Sequence, residues 1–215
     1  YIDKILPKKN DYIIGDIGAG FGLFLEELRK IRPGNHYVAI EPSMEMAGIC
    51  KNKGLEVECL CLEDIKEPCI KFDLLTAFEL TEHLHDPGLF FKSARKILKE
   101  DGYLFLTTLN SKGFDIAILW EKSKIITPPH HLNFFNADSI KVLLERSGFK
   151  ILEVSTPGKL DWDIVEGAIN NNKLNAGKFW KLLAEEGSEK AKLGLQKWIS
   201  NNNFSSHMCI LAQKA

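Results

Sequence analysis

The sequence has no uninterrupted apolar run of the roughly 18 residues that a membrane-spanning helix needs, which excludes such a segment. It has no charge bias either. Lys+Arg 28 against Asp+Glu 29 leaves a net charge of -1 with the two signs dispersed. No basic stripe is offered to a phosphate backbone, so nucleic acid is not an expected partner. Cysteine is sparse: Cys50, Cys59, Cys61, Cys69 and Cys209 form no CxxC pair, and their odd number argues against a disulfide framework. Buried, reduced thiols are the expectation. No charged n-region and apolar h-region follow Tyr1, so no signal peptide is read and a cytoplasmic location is expected. Internal repeats and long low-complexity tracts are also missing. What remains is 215 residues, 45% hydrophobic and 27% charged, a composition suited to one domain, residues 1–215, with a substantial core.

The pattern that is present alternates short apolar runs with amphipathic stretches. Tyr12 to Ile17 ends in glycines and reads as a buried parallel strand. Phe21, Phe24, Leu25, Leu28 and Ile31 follow at helical spacing, and Pro33-Gly34 stops the helix. Further strands are expected at 36–40, 55–60, 72–78, 103–108, 149–155 and 207–212. Helices are expected over 44–53, from Pro87-Gly88, and from an Asp138 cap to Gly148. Strands alternating with helices predict an α/β fold, a doubly wound, mostly parallel sheet. Two connections exceed this pattern, 109–136 and 157–205. Connections of that length inside a domain tend to be functional, and both are expected to form a lid over the active site.

The first strand runs into Asp16-Ile17-Gly18-Ala19-Gly20-Phe21-Gly22 and then a helix. Glycines there let the backbone approach a ligand closely, and the helix start offers unpaired N–H groups. The spacing is GxGxG, because Leu23 follows Gly22, and this departs from the GxGxxG of dinucleotide binders. Glu41 ends the second strand, where a carboxylate can accept hydrogen bonds from both hydroxyls of a ribose. A ligand with a ribose and no pyrophosphate suits this combination.

These motifs resemble those of the class I S-adenosylmethionine-dependent methyltransferases, in particular the branch that shares an ExxEHL signature with ubiquinone-biosynthesis enzymes. The resemblance covers about residues 10 to 155 and the last strand. It rests also on Leu62-Glu63-Asp64-Ile65, Phe72 to Pro87, Leu98 to Leu104, His130 to Phe135 and Leu143 to Phe149. It implies a Rossmann-like seven-stranded sheet in the order 3-2-1-4-5-7-6, the last strand antiparallel. It implies S-adenosylmethionine as cofactor, held by Asp16, Gly18, Ala19, Gly20, Gly22, Glu41, Pro42, Ser43, Glu63, Asp64, Phe78 and Glu79.

Methyl transfer requires the acceptor in line with the methyl and, for a hydroxyl, removal of a proton. Glu79 to Asp86 follows the fourth strand, beside the expected methyl position, and carries Glu79, Glu82, His83, His85 and Asp86. His83, Glu82 and His131 are the catalytic candidates. Glu79-x-x-Glu82-His83 with a later histidine also resembles the divalent-metal site of small-RNA 2′-hydroxyl methyltransferases. Glu79, Glu82, His83 and His131 are therefore the candidate ligands for Mg or Mn, and His130 or His131 is the later imidazole. Trp120 and Trp162 in the long connections are candidates for a sugar platform or for packing. The expected function is methyl transfer to a small molecule, most readily a hydroxyl of a sugar or other polyhydroxylated metabolite. C-methylation of a quinone precursor, RNA methylation and a cofactor-binding scaffold without catalysis are the alternatives.

Overall fold

Short apolar runs closed by glycine or proline become the strands of the computed structural model, which describes residues 2–7, 10–66 and 70–215. Cys69 and Tyr1 lie outside the described residues. The order of elements is α1 (Ile2–Ile5), β1 (Ile13–Ile17), α2 (Leu23–Ile31), β2 (His36–Ile40), α3 (Met44–Asn52), β3 (Glu56–Glu58), β4 (Phe72–Phe78) and α4 (Pro87–Ile97). Then follow β5 (Leu98–Leu109), α5 (Phe114–Leu119), α6 (Ala137–Arg146), β6 (Phe149–Ser155), α7 (Asp161–Asn170), α8 (Lys178–Glu186), α9 (Glu189–Asn201) and β7 (His207–Lys214). Single 3₁₀ turns occupy Leu62–Asp64, Thr81–His83 and Trp120–Lys122. The strands form one seven-stranded sheet, β3-β2-β1-β4-β5-β7-β6. β7 runs antiparallel to β5 and β6, and the other pairings are parallel, as the sequence led us to expect.

Residues within the central strands alternate between the two faces, so both faces are buried. In β4, Leu75 and Ala77 join Phe90, Phe91 and Ile97 of α4, whereas Leu74 joins Leu25 of α2 on the opposite side. Each fully buried side chain of this size contributes about 1.5–3 kcal/mol. The parallel strands point their carboxyl ends to one edge, where open α/β sheets place their ligands. Antiparallel β7 starts at that same edge, with His207 opposite Leu109.

The two long connections pack on each other. Leu119 of α5 meets Trp162, Val165 and Ile169 of α7 and Ala184 of α8, and Phe114 lies 5.2 Å from Trp180. Trp162 is fully buried and serves this cluster, whereas Trp120 is exposed. Asp161 ties the cluster to the sheet. Its Oδ1 accepts from Ser205 Oγ (3.0 Å), Ser206 N (2.8 Å) and Ser206 Oγ (3.0 Å), and its Oδ2 from Gln196 (2.7 Å).

Some local expectations change. β3 is shorter than the apolar run because it is the edge strand. Asn136 rather than Asp138 caps α6, in a reciprocal pair with Ser139 that satisfies two end groups at once. Cys50 and Cys209 are buried, but Cys59 and Cys61 are exposed, since they follow β3 into the loop at the sheet edge.

Candidate active site

The glycine loop takes the left-handed backbone at Gly18, Gly20 and Gly22 (φ 69, 54 and 69°), which explains three glycines in five residues. Gly18 N donates to Ile40 O (2.8 Å), which ties the loop to β2. Glu41, almost fully buried, gathers the backbone around it: Oε2 accepts from Gly20 N (2.8 Å) and Oε1 from Ser43 N (2.9 Å). The result is a cleft of about 320 Å³ at the carboxyl edge, with Gly18, Gly20, Glu41, Pro42 and Glu63 in its wall. Its apolar lining comes from Ile17, Ile40, Met46, Leu60, Leu62, Leu80, Leu84 and Phe90. Most of these were missed in the sequence, although they adjoin the motifs, because apolar residues at strand ends look the same whether they line a cleft or a core.

Other expected cofactor residues lie elsewhere. A Cβ on Gly22 would meet Leu55 Cδ1 at 2.7 Å and Cys50 Sγ at 2.9 Å, so this glycine lets α2 approach α3. Ala19 packs with the core on the α2 face and accepts the Gly22 N–H in the turn. Phe78 turns its ring to that same face, 4.6 Å from Phe24 and 6.0 Å from Phe105, away from the cleft. It lines a separate hollow with Ile2, Leu28 and Arg32. Asp64 is exposed and outside the lining, since the turn at 62–64 points Glu63 inward instead. Ser43 caps α3, its Oγ accepting from Met46 N. Asp16 is buried beneath the loop and accepts from Thr76 Oγ1 (2.6 Å). Burial lifts its carboxyl to about 7; nearby Glu41 adds to the rise, and the Thr76 bond opposes it.

Beyond the end of β4 the chain brings three ligating groups together. Atoms of Glu82, His83 and His131 lie within 4.8 Å of one another. Glu82 is buried, and its Oε2 accepts from Thr108 Oγ1 (2.8 Å). The strap carrying His131 is stitched to the 81–84 turn. Leu132 N (2.8 Å) and Asn133 N (3.0 Å) donate to Glu82 O, and Asn133 Nδ2 donates to Thr81 O (3.2 Å) and Leu84 O (2.6 Å). His83 Nδ1 lies 2.8 Å from His130 O, and His131 Nδ1 lies 2.6 Å from Ile125 O. A carbonyl can only accept, so each Nδ1 carries a proton and Nε2 is the nitrogen left to serve as ligand or base.

Glu79 touches Glu82 by a side-chain hydrogen bond but is not one of the three converging groups. Its Oε1 accepts from Thr107 Oγ1 (2.7 Å) and lies 3.3 Å from His207 Nδ1, which draws the carboxylate aside. His85 and Asp86 are exposed, and Asp86 caps α4 through Leu89 N (2.9 Å). The neighbouring carboxyls Glu79 and Glu82 are pushed apart in acidity. Burial raises Glu82. Burial also presses on Glu79, but hydrogen bonds from His207 and Thr107 outweigh it and hold Glu79 below the usual carboxylate range. His207 is pushed up to about 10 by the Cys209 thiol and by Glu79; the Glu79 contact is the shorter (3.3 against 3.9 Å) and the one that carries formal charge. Thr107, Thr108 and His207 had no signal in the sequence beyond their place at strand ends, and Asn133 lay inside the His130 to Phe135 motif without a role of its own.

A family model described as a methyltransferase domain matches residues 2–154. With the strand order and the cleft at its carboxyl edge, the chain belongs to the class I S-adenosylmethionine-dependent methyltransferases. A ubiquinone biosynthesis O-methyltransferase of Bradyrhizobium diazoefficiens is 30% identical over 154 residues, 62% of this chain and 59% of its own length. A protein of the same name from Xylella fastidiosa is 27% identical over 168 residues, 72% of this chain and 67% of its own. The match thus covers less than two thirds of the first of these relatives. Among solved structures, a possible histamine N-methyltransferase of Thermotoga maritima superposes on 100% of this chain and 86% of its own, with TM-score 0.62 and 18% identity. Mycolic acid cyclopropane synthase, solved with SAH and CTAB, matches 99% of this chain and 82% of its own, with TM-score 0.63 and 17% identity. These two share the fold. Among the described residues no helix is long and apolar enough to cross a membrane.

Proposed function

We propose that the protein transfers a methyl group from S-adenosylmethionine to a hydroxyl oxygen of a small acceptor that carries a second oxygen beside it. The convergence of Glu82, His83 and His131, with both rings fixed to present Nε2, carries this reading. One buried carboxylate and two oriented imidazoles make a donor set that fits Mg, Mn or a similar ion, because a carbonyl on each Nδ1–H is the usual outer support of a metal-binding histidine. Bound there, such an ion would supply Lewis acidity toward the acceptor's oxygens.

The remaining work falls to the chain. Gly18 and Gly20 bring backbone close to the cofactor, Glu41 accepts from its ribose hydroxyls, and Pro42 and Glu63 border its base. Phe90, Leu80 and Leu84 exclude water from that wall. The acceptor lies over the ends of β4 and β5, under a lid formed by 109–136 and 157–205. A cavity of about 360 Å³ between those two connections, bordered by Ile125, adjoins the strap that holds His131 and gives room for its bulk. The printed name of the curated relatives, ubiquinone biosynthesis O-methyltransferase, supports transfer to oxygen. A sugar diol and a dihydroxyphenyl ring satisfy the same geometry.

The test is calorimetric titration of S-adenosylmethionine, followed by methyl transfer to catechol and to a nucleotide sugar, each with EDTA and with added Mg. We expect cofactor binding in both buffers and EDTA-sensitive O-methylation. EDTA-indifferent O-methylation would leave His83 Nε2 as the proton acceptor and end the metal assignment. Methylation on carbon would move the protein to the quinone-precursor reading. Cofactor binding without transfer to either acceptor would count against the acceptor class.

A further inference from the structure

Glu79 is one of the few non-glycine residues with a positive φ, 48°, and the other groups around it show why it stays there. Side chains avoid this region unless their surroundings over-determine it. Here Glu79 N donates to Thr107 O (3.0 Å) and to Thr107 Oγ1 (3.3 Å), so the neighbouring strand fixes the backbone. Thr107 Oγ1 in turn donates to Glu79 Oε1 (2.7 Å). A further hold comes from His207, whose Nδ1 is 3.3 Å from the same oxygen, and Glu82 is also a side-chain partner.

His207 reaches this point because β7 is antiparallel and starts at the edge where the parallel strands end. Its backbone is anchored from behind: Ser206 N donates to Asp161 Oδ1 (2.8 Å), and Ser206 O accepts from Asn110 N (2.6 Å). The side chains of His207 and Glu79 are both about half exposed to solvent.

We propose that His207 is a positioning residue for methyl transfer, which with Thr107 turns the Glu79 carboxylate toward β5 and β7 and holds it beside the acceptor. The proposal rests on the methyl-transfer reading above. It separates two carboxylates three residues apart into different tasks: Glu82 completes the converging group, and Glu79 is kept as a hydrogen-bond acceptor toward the substrate. The strained backbone at Glu79 then has a use, because it turns the side chain toward β5 and β7 where the next residue of a regular strand would continue straight.

The experiment compares wild type with His207→Ala and His207→Asn, whose amide N–H can replace Nδ1–H. Three readouts are taken on each: hydrogen exchange at the Glu79 amide, calorimetric binding of S-adenosylmethionine, and kcat and KM with catechol and a nucleotide sugar in Mg. In His207→Ala we expect exchange at Glu79 to rise about tenfold with cofactor affinity retained. We expect kcat to fall by about tenfold or more, and His207→Asn to recover most of both losses. Unchanged exchange at Glu79, or an Asn variant no better than Ala, would overturn the proposal. So would a loss of cofactor affinity as large as the loss of kcat. Thr107→Val, which removes the other holder, should move exchange in the same direction and supports the reading even if His207→Ala folds poorly. Inactivity of wild type with both acceptors would count against the acceptor class alone, since exchange and Asn rescue still decide the role of His207.

Discussion

The glycine-loop cleft and the edge that carries Glu79 and Glu82 lie side by side on one sheet but are built by opposite means. The polar frame of the cleft is made largely of backbone. Left-handed glycines, the Gly18–Ile40 bond and the amides on Glu41 come from residues 16 to 63, close in the chain. The edge is made of side chains delivered by distant segments: 79–84, 107–108, 130–133 and 207. A backbone-built site tolerates change in most side chains and fails at a few glycines or at Glu41. A side-chain-built site has no such economy, because each of its members arrives from a different element.

The comparison can be broken by mutation. The largest effect should come from Glu82→Gln, which keeps the Thr108 contact but removes the charge, and should lower kcat by about 1000-fold. Cofactor affinity should not change; if calorimetry shows that it falls in step, the two regions are not separable. Asp16→Asn tests the floor of the cleft. Its folded value, about 7, lies above the ordinary 3.8, so the proton-bound form favours the fold. That contribution is full below about pH 4 and is lost as pH rises through about 7, by as much as about 4 kcal/mol. Denaturant titrations from pH 4 to 8 should show this loss reduced in the Asn variant, and an unchanged profile would remove Asp16 as its source.

Gly22→Ala should cost about 2–3 kcal/mol of stability, from a Cβ in the left-handed region against Leu55 and Cys50. Urea unfolding measures it, and a variant as stable as wild type would mean that α2 and α3 can separate freely. Glu41→Ala should weaken cofactor binding by about 1–3 kcal/mol and leave kcat at saturation near wild type. A large drop in kcat at saturating cofactor would show that the cleft also positions the acceptor edge.

The same division explains what could be read from the chain. The glycine loop, Glu41 and the Glu82-His83 pair were legible, since each is a local pattern of spacing and residue type, and the strand order followed from the resemblance those motifs carry. Phe78 was misplaced because alternation along β4 decides which face it meets, and motif position does not carry that information. Glu79 and Glu82 could be read together as neighbours in sequence, but Thr107 and His207 reach Glu79 only through strand pairing, which residue type does not reveal. His131 was found, but the carbonyls of His130 and Ile125 that set both tautomers were not, because backbone acceptors leave no trace in residue type.

The helical excursion between β6 and β7 leaves and re-enters the sheet at one spot. Asp161, near its start, binds Ser205 and Ser206 at its end, and Gly158 has no room for a side chain because Ser205 is already there. A loop whose two ends touch imposes no required span on whatever lies between them, so its length and content can vary without a change in sheet register. The excursion is thus a socket in the sheet: a segment between Gly158 and Ser205 whose replacement would leave the strand pairing on either side in place.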